Sequence, residues 1–379
     1  MLVGVFGIVY SQCPSVCHQC TRGKWNCEGT NITNEILLDI ARNGGAFTAK
    51  ELLLNKNNIT DFPSHEFTNF TNLEELNLGE NHLVQIPRDL YKNIPSLKKI
   101  SLMQNNLRKI TRDDFVGYDN IIELDLFKNN IDQLEPNTFE NLSNLKKLYA
   151  ESNKIKTLRN GTLNGLSKLT QLSFKGNDLE DIEAGVLHVS PNLERLWFNK
   201  NKLTSLPEGL FKNLKSLYSL DLEGNQLTDH GLPTGIFKDL LLDDLMLSEN
   251  NFTTLKNDWF GRVKFAITLS NNPVVCDCRI YKTYQILLNK VQDNIDVSGS
   301  CKNPRSLENI SIKKHFEENL SNCTACSVNK CQNNANCTVF DAQSFAYNCT
   351  CPRQFFGQYC ETEDFCICLL YTSPSPRDS

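Results

Sequence analysis

Apolar residues recur along the middle of the chain in a pattern that returns at a fixed interval. Leu73, Leu76 and Leu78 are followed by Asn81, with polar residues between them, and the arrangement returns 24 positions later. The asparagines of the series are Asn57, Asn81, Asn105, Asn129, Asn153, Asn177, Asn201 and Asn225, with Asn250 and Asn272 closing it at slightly different spacings. A constant period of this length predicts a solenoid in which each repeat is one structural unit.

Each repeat is expected to contribute one short strand. With the asparagine taken as position n, the apolar residues at n−5 and n−3 point into a shared core, and the strands pack in parallel. The asparagine amide both donates and accepts hydrogen bonds, so it can satisfy backbone groups at the following turn. A large apolar residue at n+10 is expected to fill the convex side of the core: Phe67, Tyr91, Phe115, Phe139, Leu163, Leu187, Phe211 and Phe260.

Side chains at n−6, n−4 and n−2 are predicted to lie on the opposite, concave face of the sheet, because strand side chains alternate. Aromatic residues cluster there with charged neighbours, which is typical of a protein-interaction surface. Alternatively, the rings shelter neighbouring stems, for instance Lys175 against Trp197. The candidate partner-binding residues, here called the central patch, are Met103, Asp125, Phe127, Tyr149, Glu151, Lys175, Arg195 and Trp197.

The 16 cysteines fall into two terminal groups, Cys13 to Cys27 and Cys276 to Cys368. In a reducing cytosol such groups suggest metal sites, whereas in an oxidising compartment they mark disulfide-stapled modules. Sequons for N-glycosylation favour the secretory route. They are Asn31, Asn58, Asn69, Asn141, Asn160, Asn251, Asn309, Asn319, Asn322, Asn336 and Asn348. We therefore predict disulfide caps that cover the two open ends of the solenoid, and no metal site.

Charge and motif content exclude several functions. The net charge is −5 and no basic block occurs, which argues against a nucleic-acid binder. The scattered histidines form no metalloprotease motif, and no phosphate-binding loop or nucleophile elbow is present, so we expect neither an enzyme nor a cofactor. No apolar run reaches the roughly 18 residues of a membrane span.

These patterns predict an α/β repeat solenoid with a parallel sheet on its concave face and disulfide caps at both ends. A small disulfide-rich module is expected to follow. The predicted divisions are a signal peptide at 1–11, an N-terminal cap at 12–48, about nine repeats at 49–270, a C-terminal cap at 271–325, the small module at 326–360, the start of a second such module at 361–366 and a non-native tail at 367–379.

The repeats resemble leucine-rich repeats, and the small module resembles an epidermal-growth-factor-like (EGF-like) module. The second resemblance rests on the spacing from Cys326 to Cys360, with its Cys-x-Cys and the closing "FFGQYC". Calcium-binding members of that family carry acidic or amide residues before the first cysteine, where Thr324 and Ala325 stand here, so no calcium is expected.

The order of modules over residues 13–366 resembles extracellular leucine-rich-repeat proteins of the Slit type, with vasorin-like receptors as the alternative. One departure is Val274, where the Slit-type cap usually has an aromatic residue. The resemblance implies the disulfide pairs Cys13–Cys20, Cys17–Cys27, Cys276–Cys301, Cys278–Cys323, Cys326–Cys337, Cys331–Cys349 and Cys351–Cys360.

This resemblance also implies a function. A Slit-like protein would be a secreted ligand in cell or axon guidance that engages a Roundabout-type receptor through its concave face. A vasorin-like protein would instead be the ectodomain of a membrane-anchored receptor or adhesion protein. The Slit resemblance further implies heparan sulfate binding, for which the sequence offers only small basic spots, at Arg262, Lys264, Lys313, Lys314 and His315.

Overall fold

The computed structural model describes most of the chain. The described residues are 13–21, 23–42, 48–260, 266–276, 283, 297–302, 308–312, 314, 331–341, 346–352, 355–356 and 358–363. The predicted signal peptide, the predicted tail, the sequons Asn319 and Asn322 and the cysteines Cys278, Cys323 and Cys326 lie outside them, as do Arg262, Lys264, Lys313 and His315.

One sheet of 13 strands runs through the solenoid. Neighbouring strands are parallel except the first two, which form an antiparallel pair. Its strands are β1 (Gln19–Thr21), β2 (Lys24–Asn26), β3 (Glu51–Leu53), β4 (Glu75–Asn77), β5 (Lys99–Ser101), β6 (Glu123–Asp125), β7 (Lys147–Tyr149), β9 (Gln171–Ser173), β11 (Arg195–Trp197), β12 (Ser219–Asp221), β13 (Asp244–Met246), β14 (Ala266–Thr268) and β15 (Val297–Ser298).

The remaining elements are short. Among the fully described elements, two helices, α1 (Asn34–Arg42) and α2 (Leu90–Asn93), and three 3₁₀ turns (Ser64–Asn69, Arg112–Phe115 and Asn257–Trp259) lie between strands of the main sheet. Strands β8 (Thr157–Leu158) and β10 (Asp181–Ile182) form a separate parallel pair. Near the C-terminus, β16 (Asn336–Asp341) pairs with β17 (Ala346–Thr350), and β18 (Phe355–Phe356) pairs with β19 (Thr362–Glu363).

The core is built from the inward residues of successive repeats. Leu196 and Phe198, at n−5 and n−3, have no exposed surface, and the corresponding residues of the other repeats are buried in the same way. Between them in sequence, Trp197 points to the other face and is only half-buried. Three consecutive apolar residues therefore serve two faces, as the period predicts.

The asparagine at position n joins each repeat to the one before it. Nδ2 of Asn129 donates to the carbonyl oxygens of Leu102 (3.0 Å) and Leu126 (3.1 Å), and its Oδ1 accepts the N–H of Leu107 (3.1 Å). The same three bonds recur at other asparagines of the series, Asn81 among them. Each amide thus satisfies buried backbone groups that the short strands leave unpaired.

A second polar ladder lies at n−9, just before each strand. Asn120 and Asn144 donate through Nδ2 to the carbonyl oxygens of Pro95 and Asp119, at 3.1 and 2.7 Å. Ser96 makes the equivalent bond to Thr71 at 2.7 Å. This ladder was not predicted, because these residues are exposed or half-buried and fall outside the apolar pattern.

Tyr91, a residue of the predicted convex column, does not lie in the core. Tyr91 is 37% exposed, whereas the preceding Leu90 is buried in its place. Helix α2 begins after Asp89, which has a left-handed backbone conformation (φ 57°) at the N-terminal cap position. The Tyr91 ring packs over Gly117, where any side chain would collide with it. The prediction that Tyr91 fills the core is therefore wrong.

Disulfides staple both ends of the solenoid. Five of the pairs that the resemblance implied are present: Cys13–Cys20, Cys17–Cys27, Cys276–Cys301, Cys331–Cys349 and Cys351–Cys360. Cys337 is also disulfide-bonded. Closing the N-terminal end, Trp25 is buried and packs edge-on against Phe70 at 5.6 Å between ring centroids.

Candidate functional site

The central patch lies on one continuous face of the sheet. In the n−4 row, Asp125 is the cross-strand neighbour of Tyr149, which neighbours Ser173, which neighbours Trp197. In the n−2 row, backbone hydrogen bonds link the turns that follow successive strands. As a result, Met103, Phe127, Glu151 and Lys175 lie side by side in that order. Arg195 lies in the n−6 row. The structure thus brings all eight candidates onto the concave face.

The rings of the patch are half-buried rather than fully exposed. Tyr149 and Trp197 lie on strands that flank β9, separated by the small Ser173. Ser173 has no exposed surface although it points to the concave face, because the two rings border it. The Tyr149 hydroxyl donates to Oε1 of Gln171 at 2.9 Å, which ties that ring to β9. Both rings keep part of their surface in solvent.

Met103 and Phe127 extend the apolar surface toward the N-terminal end. A side chain at Gly79 would come within 2.6 Å of the Met103 Cγ atom, so Met103 lies directly over this glycine. Phe127 is half-buried beside it in the n−2 row. Gly79 therefore leaves room for Met103 on the concave face.

Asp125 serves the fold as well as the surface. Its Oδ1 accepts the N–H of Phe127 (2.9 Å), and its Oδ2 accepts the Ser101 hydroxyl (3.0 Å). Burial raises the pKa of this carboxyl, although these two hydrogen bonds oppose the shift. Both carboxylate oxygens are engaged by these neighbours, so less of the group is available to a partner than the sequence suggested.

Asp221, next to Trp197 on β12, was not among the predicted site residues. It is 7% exposed, and its Oδ1 accepts the N–H of Glu223 at 3.0 Å. Burial raises the pKa of Asp221 to about 6, and the nearby Glu223 charge adds to the increase. The repeat length alone places this residue beside Trp197, so the sequence carried the signal.

The remaining cations of the patch do not lie over the Trp197 ring, where the alternative interpretation expected Lys175. Arg195 holds its guanidinium over the Tyr218 ring, 5.3 Å from the centroid, so it turns toward the next repeat. In the described part of the chain, no cation lies over Trp197. Lys175 is exposed. Burial raises the pKa of Glu151, and the Lys175 charge opposes that shift.

The n−6 row forms a self-neutralised strip along the N-terminal part of the concave face. Ion pairs join Lys99 to Glu75 and Lys147 to Glu123, the second at 3.2 Å. Lys24 pairs with Glu51 at 3.0 Å. Exposed pairs of this kind contribute at most about 1 kcal/mol each, but they leave little net charge on this strip.

Comparison with known proteins agrees with this geometry. The family described as "Leucine rich repeat" matches residues 48–107, 71–131, 95–155, 119–179 and 175–227. Residues 48–227 therefore consist of leucine-rich repeats. No curated protein sequence matches the chain.

Among solved structures, this chain is similar to a chain in an octameric complex of Latrophilin 3, Unc5D and FLRT2 (LRR). The identity is 24% and the TM-score 0.61, over 79% of this chain and 97% of that one. It is also similar to the leucine-rich repeat domain of APL1B, with 22% identity and a TM-score of 0.48 over 72% and 87% of the two chains. The first of these likenesses shows the fold.

The sequons of the leucine-rich-repeat solenoid lie away from the concave face. Asn58 and Asn251 directly follow ladder asparagines, while Asn69 and Asn141 both stand at n+12. Asn160 precedes a turn after β8. All of these except the half-buried Asn141 are exposed. Attached sugars would therefore leave the strands uncovered.

Two further observations concern the described residues alone. Within them, no group of three or more His, Cys, Asp or Glu side chains is placed to hold a metal ion. No helix among them is long and apolar enough to cross a membrane. The disulfides and the leucine-rich-repeat fold indicate an extracellular protein.

Proposed function

We propose that this protein is an extracellular binding protein that recognises a cell-surface receptor or a secreted protein through the central patch. Leucine-rich-repeat domains are protein-interaction modules, not enzymes, and the similar FLRT2 domain stands in a complex with Latrophilin 3 and Unc5D. The observation that carries the proposal is the concave face around Tyr149 and Trp197. There, half-buried rings with exposed edges are bordered by charge and kept clear of the sequons.

The finer proposal is a Slit-like ligand in cell or axon guidance. The module order supports it, with residues 326–360 as an EGF-like module. In that region β16 and β17 form a hairpin, and two disulfides follow the EGF-like pairing. Heparan sulfate binding is part of this proposal, and Lys314 is the member of the small basic spots that lies within the described residues.

The second candidate is the ectodomain of a membrane-anchored receptor or adhesion protein of vasorin-like organisation, which shares the module order. The full-length transcript distinguishes the two. Further EGF-like modules with a laminin-G-like domain would favour the guidance ligand, whereas a fibronectin-like domain with an apolar span would favour the receptor.

The binding function itself is tested with a panel of purified cell-surface ectodomains, including Roundabout-type, Unc5D and latrophilin ectodomains. The glycosylated protein is immobilised and each ectodomain is passed over it. We expect saturable binding to at least one member, lost when a Tyr149→Ala, Trp197→Ala double variant replaces the wild type. Binding that the variant retains in full would place recognition on another surface.

A further inference from the structure

The concave face changes its electrostatic character along the solenoid. Up to β7, carboxylates of the n−6 row are paired with lysines on neighbouring strands, as Glu123 is with Lys147. Residues 218–224 and 243–249, which contain β12 and β13, carry acidic side chains and no lysine or arginine. We call Asp221, Glu223, Asp244 and Glu249 the acidic strip.

Three carboxylates of the acidic strip are unpaired. Within the described part of the chain, Glu223, Asp244 and Glu249 make no ion pair. Burial is the main cause of the raised pKa of Asp221; the like charge of Glu223 adds to it, and the charges of Lys175 and Lys200 oppose it. Unpaired like charges on one face repel each other, and a partner carrying the opposite charge relieves that repulsion.

Between these carboxylates the sheet forms an open pocket of about 370 Å³. Glu223, Asp244 and Glu249 line it, together with the apolar side chain of Met246. The hydroxyl oxygen of Thr268, which also lines it, is buried without a hydrogen-bond partner. A single apolar side chain flanked by cations matches this combination of a thioether and neighbouring carboxylates.

We propose that the acidic strip docks a basic segment of a protein partner, with an apolar side chain on Met246 and flanking arginines or lysines on Glu223 and Asp244. The inference rests on the proposed function, because it assigns a charge preference to one end of the same binding face. The central patch supplies the aromatic anchors, and the acidic strip determines in which direction the partner lies along the sheet.

The test uses the full chain and a short fluorescent peptide of alternating arginine and leucine, with a peptide of alternating glutamate and leucine as its counterpart. Fluorescence anisotropy is measured at low and physiological salt. We expect the arginine peptide to bind, the glutamate peptide to fail and the affinity to fall as salt rises. A Glu223→Gln, Asp244→Asn double variant is expected to weaken binding at least tenfold.

The matched control is Glu75→Gln with Glu123→Gln, which removes the same charge from the ion-paired end of the face and should leave binding within twofold. Equal loss in both variants, no binding of the arginine peptide, or its displacement by millimolar calcium would overturn the proposal. If the double variant misfolds by circular dichroism, Glu223→Gln alone replaces it, with a smaller loss of affinity expected. The peptide does not depend on Tyr149 or Trp197 for its charge preference, so its failure is distinguishable from failure of the ectodomain screen.

Discussion

The hydroxyl of Tyr149 donates a hydrogen bond to Oε1 of Gln171, 2.9 Å away on the neighbouring strand. This bond fixes one of the two rings that border Ser173. A ring held in place before binding loses less conformational entropy when a partner covers it. The bond therefore connects the packing of the sheet to the proposed recognition.

A double-mutant cycle measures this connection. Tyr149→Phe and Gln171→Leu should each lower the free energy of unfolding by about 1 kcal/mol, and the double variant should lose less than the sum, because the two changes remove one shared bond. Urea denaturation of the four proteins gives the coupling energy. Strict additivity would show that the bond contributes nothing in solution.

The asparagine ladder should be the most sensitive feature of the fold. Asn129→Ala removes one acceptor and two donor contacts to buried backbone groups and is expected to cost about 2–4 kcal/mol of unfolding free energy. Asn130→Ala is the control, since its side chain lies outside the ladder, and its cost should stay below about 0.5 kcal/mol. Comparable losses at the two positions would contradict the role of the ladder.

Periodicity explains why the fold could be predicted from the sequence. A strand residue two positions away has the same orientation, so locating Asn201 was enough to place Leu196, Trp197 and Phe198 on their faces. The asparagine bonds followed from the same argument, because the Asn amide places two N–H donors and a carbonyl acceptor on one short side chain.

What the period could not reveal was how individual side chains turn. Asp125 accepts hydrogen bonds from the Phe127 N–H and from the Ser101 hydroxyl on β5, which depend on its side-chain rotamer and not on its position in the repeat. Arg195 leans over Tyr218 instead of bordering Trp197. Tyr91 lies outside the core because the short helix α2, which contains both residues, turns Leu90 inward. Each outcome reflects local geometry inside an unchanged repeat.

The raised pKa of Asp221 predicts that the free energy of unfolding depends on pH. Its folded pKa of about 6 exceeds the ordinary value of 3.8, so the folded state binds this proton more tightly than the unfolded state does. The stability contributed by protonation is present below about pH 4 and is lost as pH rises through 6. Asp221→Asn keeps an oxygen for the Glu223 N–H and should raise unfolding free energy at pH 7 by about 1–2 kcal/mol.

The measurement for Asp221 is urea denaturation of wild type and Asp221→Asn between pH 4 and pH 8. The stability difference between the two proteins should shrink as the pH falls from about 7 toward 4. A constant difference across that range would contradict the raised pKa.

The residue before each ladder asparagine adopts a left-handed backbone conformation. Exchanging lysine and glycine at two such positions measures how much this conformation costs in unfolding free energy. Lys128 has φ 53° and Gly176 has φ 64°. Lys128→Gly should stabilise the protein by roughly 0.5 kcal/mol, and Gly176→Lys should destabilise it by about 1 kcal/mol, because a Cβ atom disfavours this conformation. Thermal unfolding of the two variants is the readout, and shifts of the same sign would refute the explanation.

The central claim is that the concave aromatic residues recognise another protein. Its most direct test is the affinity of the ectodomain selected by the panel for the Tyr149→Ala, Trp197→Ala variant. The control is a Val84→Ala, Val116→Ala variant, which removes exposed apolar surface outside the strands. We predict that the first variant loses about 2 kcal/mol of binding free energy or more while remaining folded, and that the control binds like wild type. Unchanged affinity in the folded aromatic variant, or a loss confined to the control, would contradict the account.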